Sequence, residues 1–251
     1  MGSTDVSMNN QRSKVLLVDD NVINLEVARG ILEDIGLVVH DASDGLLAIE
    51  SLVRCGESEP FSLVFMDCQM PNMDGYEASR RIRSGDAGEG YRTIPIVAMT
   101  ANAMKGDRER CLNAGMDDYL SKPVEPSDLE GKAREWLHVS SSTSLETSPS
   151  ELTKPLVFSD IASDLDPETW DYAAALKRVG GKESRLQLLV RSFLEEIPEY
   201  VKTLQEIVET SDLEGLARLA HTVKGVAGNL SALNVQSLAE DIEMAAKESD
   251  L

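Results

Sequence analysis

Cysteine is scarce: Cys55, Cys68 and Cys111 are the only three, an odd number with no C-x-x-C spacing. That count argues against a disulfide framework and against a cysteine zinc site, and it leaves Cys68 as a small neutral filler rather than a reactive thiol. Positive charge is also in deficit, with 24 Lys and Arg against 44 Asp and Glu and a formal net charge of −20. Nucleic acid and anionic membrane both need clustered basic residues, so neither is expected as a partner. No apolar run approaches the ~20 residues of a membrane helix, and no signal-peptide pattern opens the chain. A cytoplasmic location follows as an expectation, as does room for two domains, each with its own core. No glycine-rich nucleotide loop is present, so nothing here draws phosphate from ATP.

What is present divides in two. Eight of the eleven residues 140–150 are Ser or Thr. Such a stretch cannot bury enough apolar surface to fold, so residues 138–160 read as a flexible linker between a domain at 13–137 and another at 161–251.

The first domain alternates strand and helix. Val15–Val18, a strand from Leu37, Leu63–Met66, Ile94–Met99 and Asp118–Ser121 are strand-like runs. Helical spacing follows each, over about 23–35, 46–53, 76–82, 105–114 and 127–136. Five β/α pairs with continuous apolar strands imply a doubly wound parallel sheet with right-handed crossovers. Five polar residues fall at the strands' carboxyl ends: Asp19 and Asp20, Asp67, Thr100 and Lys122. In a parallel sheet these ends share one edge, where open α/β sheets carry their chemistry. Three converging carboxylates repel one another unless a divalent cation sits among them, and oxygen-only ligands favour Mg2+. A lysine and a hydroxyl beside it can hold the oxygens of a phosphoryl group. Asp67, followed by Pro71 and the Asp74-Gly75 turn, would be the nucleophile. Taken singly, Asp19-Asp20 could cap a helix, and Thr100 and Lys122 could be loop residues.

The second domain has no strand signal. Helices are expected from Asp166-Pro167 to Arg178, over 186–208 with Pro198 kinking or splitting it, over 213–230, and over 235–247. This is an antiparallel helical bundle whose last helix keeps an apolar stripe that nothing following covers. His221, Lys224, Gly225 and Gly228 stand at i, i+3, i+4 and i+7, on one helix face. Two interior glycines cost about 1 kcal/mol each relative to alanine. They make sense where that face must lie flat against something. His221 can act as a nucleophile toward phosphorus, with Lys224 favouring the incoming anion. The bland alternative is a surface histidine with glycines packed on a neighbouring helix. His40 and His138 have no partners by spacing and read as structural; Trp136 and Trp170 read as core.

Val18-Asp19-Asp20-Asn21, Met66 through Gly75, Met99 through Ala103, and Tyr119 through Pro123 together resemble a receiver domain of two-component signalling, over about 13–137. The resemblance implies a flavodoxin-like sheet of order 2-1-3-4-5 without a flavin, and Asp67 as phospho-acceptor. Mg2+ would be held by Asp20 and Asp67, with Asp19 nearby and the backbone carbonyl of Gln69. Thr100 and Lys122 would contact the phosphoryl group, Tyr119 would be the aromatic switch partner of Thr100, and Ala101, being small, would leave the site accessible. The segment around His221 resembles a histidine phosphotransfer (HPt) domain. That implies His221 as the phosphorylated residue, Lys224 assisting, and Gly225 and Gly228 permitting a receiver to dock. Such domains usually close with a further helix, which this all-α bundle lacks; a second copy covering the gap as a dimer is one expectation. The whole resembles the C-terminal part of a hybrid sensor histidine kinase, which implies a kinase phosphodonor and a downstream response regulator as partners. A docking module without Asp67-to-His221 transfer, and more remotely an Mg2+-dependent phosphohydrolase, are the other readings.

Overall fold

The computed structural model describes residues 12–56, 58–100, 105–137 and 169–248. The linker stretch 138–160, His138, Ala101 and the Asp166-Pro167 pair lie outside the described residues. Five strands, β1 (Lys14–Val18), β2 (Val38–Ala42), β3 (Leu63–Asp67), β4 (Ile96–Thr100) and β5 (Asp118–Ser121), form one parallel sheet in the order β2-β1-β3-β4-β5. The intervening helices are α1 (Val22–Asp34), α2 (Gly45–Cys55), α3 (Gly75–Ser84), α4 (Lys105–Asn113) and α5 (Pro126–Leu137). The expected architecture and strand order are therefore present. β3 and β4 are buried at every position, while edge strand β2 alternates with solvent, as central and edge strands of a covered sheet should.

Alternate strand residues feed two apolar layers. Leu16, Val18, Val64, Met66, Ile96 and Ala98 face one layer. Val15, Leu17, Phe65, Val97 and Met99 face the other. That second layer does not stop at α1 and α5. It runs on into Ala175, Val179, Leu186, Leu189, Val226 and Leu230 of the C-terminal helices. The expectation of two separate cores is thus corrected: the helical half completes its burial against the sheet domain.

Those helices are α6 (Tyr172–Arg178), α7 (Glu183–Thr210), α8 (Leu213–Asn229) and α9 (Leu233–Glu248). α6 starts later than expected. Residues 169–171 are not helical: Trp170 Nε1 donates to Leu230 O at 2.7 Å and Asp171 N to Ser231 O at 3.1 Å, while Asp171 caps the helix by accepting from Ala174 N at 2.9 Å. α7 is a single helix that runs through Pro198 rather than splitting there. α8 and α9 pack antiparallel, as the pairs His221–Glu243, Lys224–Glu240 and Gly228–Gln236 show. Leu194, Val201 and Val208 of α7 and Leu238 and Met244 of α9 remain exposed. Among the described residues nothing covers these apolar side chains.

Candidate functional site

Register builds the first half of the site. Val18 pairs with Met66, so Asp19 leaves β1 level with Asp67 at the end of β3. Thr100 pairs with Ser121, which brings Lys122 past the end of β5, and Lys122 N donates to Thr100 O at 2.7 Å. The Lys122-Pro123 peptide is cis. Gly75 opens α3 directly behind Asp67: a Cβ there would stand 2.0 Å from Asp67 O, so no other residue fits.

The carboxylates of Asp19, Asp20 and Asp67 offer oxygens within 4.8 Å of one another. Lys122 Nζ lies 2.6 Å from Asp19 Oδ2 in hydrogen-bond geometry and 2.7 Å from Asp67 Oδ2 as an ion pair. Burial opposes the charge on Lys122, but Asp19 and Asp67 more than offset it and hold the ammonium above its ordinary value. Asp67 is almost fully buried. Burial, reinforced by Asp19 and Asp20 against the pull of Lys122, pushes its carboxyl up to about 7. Burial and then the Asp19 charge push Asp20 up to about 6. One lysine thus leaves three acidic groups underneutralised, which is the electrostatic setting a divalent cation relieves. Asp19 and Asp20 are not themselves the helix cap. Asn21 caps α1, accepting from Ile23 N and Asn24 N, and Asp19 Oδ1 accepts from Asn21 N and Asn24 Nδ2. Gln69 N donates to Asp67 Oδ1 at 3.2 Å. Thr100 is buried, and Tyr119 is half-buried against the layer that contains Met66.

α8 builds the second half. Its face carrying Gly225, Gly228 and Asn229 lies on the sheet domain. Asn229 Nδ2 donates to Asn24 Oδ1 at 2.6 Å. A Cβ at Gly228 would stand 3.3 Å from Pro123 Cβ and from Gln236 Nε2, a tight fit, whereas one at Gly225 would meet only Asn24 at 3.7 Å. Of the two docking glycines, Gly228 is therefore the demanding one. Asp34 on α1 receives Lys182 at 2.6 Å and Arg185 at 2.7 and 2.9 Å, and Arg178 reaches Glu125 at 2.9 Å. These pairs are partly exposed and contribute on the order of 0–1 kcal/mol each; the shared apolar layer does most of the holding.

In this position His221, Lys224, Asp20, Asp67 and Lys122 line one cavity of about 70 Å³. The two candidate phosphoryl acceptors, on opposite domains, open into the same space. Sequence reasoning missed the residue that orients one of them. Glu243 of α9 is buried, and His221 Nδ1 lies 3.0 Å from its Oε1. Lys224 Nζ is 2.6 Å from its Oε2 and Lys247 Nζ 2.6 Å from its Oε1. Burial works against that carboxylate, yet the hydrogen bonds from His221, Lys224 and Lys247 hold it well below the usual range. An ionised carboxylate only accepts, so Nδ1 donates to it, and in the neutral imidazole the lone pair then sits on Nε2. The signal was there: Glu243 interrupts the buried stripe of Ala239 and Ala246. His40 packs edge-on to Phe61, and Trp136 packs on the core.

Comparison with known proteins gives the following. The response regulator receiver domain family matches residues 15–134, and the Hpt domain family matches residues 188–251. The signal transduction histidine-protein kinase BarA of Shigella flexneri is 32% identical over 241 residues, covering 94% of this chain and 25% of that protein. The aerobic respiration control sensor protein ArcB of Escherichia coli K12 is 33% identical over 229 residues, covering 91% of this chain and 27% of its own length. The chain spans about a quarter of the length of these curated relatives. Among solved structures, the receiver domain of sensor histidine kinase PA1611 from Pseudomonas aeruginosa PAO1, described with a magnesium ion coordinated in its active site cleft, is 40% identical over 51% of this chain and 100% of its own, with a TM-score of 0.46. No helix among the described residues is long and apolar enough to cross a membrane.

Proposed function

We propose that this chain, which matches the response regulator receiver domain family and after it the Hpt domain family, works in a two-component phosphorelay, and that Asp67 and His221 exchange a phosphoryl group directly within it. The observation that carries the proposal is the single cavity lined by both residues. Asp67 accepts phosphoryl from a kinase histidine. The P–N bond to the donor breaks as a P–O bond to Asp67 forms, giving an acyl phosphate. His221 then takes the group through Nε2, the nitrogen that Glu243 leaves free. A P–N bond forms, the P–O bond to Asp67 breaks, and the carboxylate returns. Both phosphorylated forms are reactive, so the exchange runs either way, and His221 also serves a downstream regulator's aspartate.

The chain's own residues set the electrostatics. Lys122 balances charge developing on the transferred oxygens, Thr100 supplies a hydroxyl at the strand end, and Lys224 attracts the phosphoryl from the His221 side. Asp19, Asp20 and Asp67, with the Gln69 carbonyl, would hold Mg2+. The clustered oxygens and the upward shifts of Asp20 and Asp67 fit such an ion. When bound it neutralises the acidic cluster and the phosphoryl charge.

A second reading, docking that masks both sites without transfer, is favoured by the Asp34 clasp with Lys182 and Arg185. Labelling separates the two. With Mg2+ and a small phosphodonor, base-labile label appears on Asp67 and acid-labile label on His221. Asp67→Asn loses both, and His221→Gln keeps the first. Label confined to Asp67 in the unmodified chain would sink direct exchange and leave masking.

A further inference from the structure

The phosphoryl chemistry leaves one pair of nucleophiles unused. Cys68, the residue after Asp67, and Cys111 on α4 are both buried, and their sulfurs stand 3.8 Å apart with no bond between them. They come from segments 43 residues apart in sequence. Cys68 is fixed on the sheet side, its N donating to Met99 O at 3.0 Å and its O accepting from Gly75 N at 3.3 Å. Cys68 also lines a cleft of about 900 Å³ between the two domains, together with Tyr76, Arg110 and His221. A disulfide needs its sulfurs at roughly 2 Å, so closing this pair takes a shift shared between the β3 end and α4.

We propose that Cys68 and Cys111 form a reversible, peroxide-driven disulfide that slows phosphoryl acceptance at Asp67. One sulfur of the pair reacts first. It attacks the terminal peroxide oxygen; an S–O bond forms, the O–O bond breaks, and the leaving oxygen departs as water after taking the thiol proton. The other sulfur of the pair then attacks the sulfenic sulfur. The S–S bond forms, the S–O bond breaks, and the hydroxide released takes the second thiol proton. Two thiols and one hydrogen peroxide give one disulfide and two waters. A thiol reductant reverses it by exchange. The bridge draws α4 against the residue next to Asp67. Its backbone neighbour then shifts away from the geometry that the register of β1, β3 and β4 sets. A displacement of that order at a reacting group slows reaction by roughly tenfold or more.

The rate effect rests on Asp67 being the acceptor; the bridge itself does not. The test treats the full chain with hydrogen peroxide, maps disulfides by differential alkylation and peptide mass, and measures Asp67 labelling from a small phosphodonor before and after. The expected result is a Cys68–Cys111 crosslink with a loss of two hydrogens and labelling slowed roughly tenfold, both restored by dithiothreitol. Cys55→Ser keeps the whole response, while Cys68→Ser and, separately, Cys111→Ala abolish it. Oxidation found at Cys55 alone, or Cys68 and Cys111 still singly alkylated after peroxide, overturns the proposal. So does a complete crosslink with unchanged labelling. A reduced chain that never labels Asp67 refutes the acceptor reading instead, while the crosslink map still scores the bridge.

Discussion

The two ends of the cavity solve the same chemical problem by opposite means. On the sheet side three carboxylates crowd one lysine, and burial raises Asp20 and Asp67 toward neutral pH. On the helical side one buried carboxylate gathers His221, Lys224 and Lys247 and is held strongly ionised. The first site is acid-rich and wants positive charge added. The second sets one carboxylate against two lysines and orients the imidazole. Under the proposed exchange, a phosphoryl acceptor that also holds a cation needs different surroundings from an imidazole that presents one nitrogen, and the two charge arrangements fit that difference.

The comparison predicts unequal damage when the central ion of each site is removed. Among the described residues Lys122 is the cation paired with both Asp19 and Asp67, and its side chain is only 11% exposed. Lys122→Ala in metal-free buffer should destabilise the fold by about 3–5 kcal/mol, read by urea denaturation, and added Mg2+ should recover part of the loss. A loss no larger than that of an exposed lysine would contradict the central place given to Lys122. Glu243→Ala should cost less, about 1–3 kcal/mol, because Lys247 can turn to solvent. Its more telling readout is 15N NMR of the imidazole: the wild type should hold the proton on Nδ1 of His221, and the variant should show mixed tautomers with slower transfer. Glu243→Gln, still able to accept, should recover much of the tautomer bias.

The pH response sharpens the contrast further. Asp20 and Asp67 bind protons more tightly in the folded chain, near 6 and 7, than at their unfolded value of 3.8. The folded state then holds the extra protons, so without Mg2+ their contribution makes stability fall as pH rises from about 4 to 7. Glu243 runs the other way. Its folded value is depressed, so its contribution is present above its ordinary 4.5 and is lost as pH falls below it. Melting curves should therefore show Mg2+ raising Tm more at pH 8 than at pH 5, with Asp20→Asn removing most of that difference. An equal Mg2+ effect at both pH values would count against the cation sitting among these carboxylates.

Much of the sheet site is legible in the sequence because a parallel sheet places every strand's carboxyl end on one edge. Asp19, Asp67, Thr100 and Lys122 could be gathered from strand runs alone, and the register of β1 against β3 brings them level. His221 and its glycines were legible from helical spacing. Three things were not. Glu243 acts across an antiparallel pair, and pairing of α8 with α9 depends on the turn at Leu230–Ala232, which carries no charge signal. The continuity of the core from Phe65 and Met99 to Leu186 and Val226 reverses the expectation of separate cores, since periodicity shows that a face is apolar but not what covers it. Cys68 and Cys111 meet because β3 and α4 meet, 43 residues apart; counting cysteines cannot reveal that.

The central claim is exchange between Asp67 and His221 of the same molecule. Mixing chains tests it most directly. A chain with Asp67→Asn and intact His221 is combined with one carrying His221→Gln and intact Asp67, a small phosphodonor and Mg2+ are supplied, and acid-labile label is followed against dilution. Same-chain exchange predicts that the unmodified protein labels His221 at a rate independent of concentration, while the mixture labels it at least roughly a hundredfold more slowly at micromolar protein, where tethering gives the larger effective concentration. Equal labelling of the mixture and the unmodified protein, with both rates rising with concentration, would contradict it.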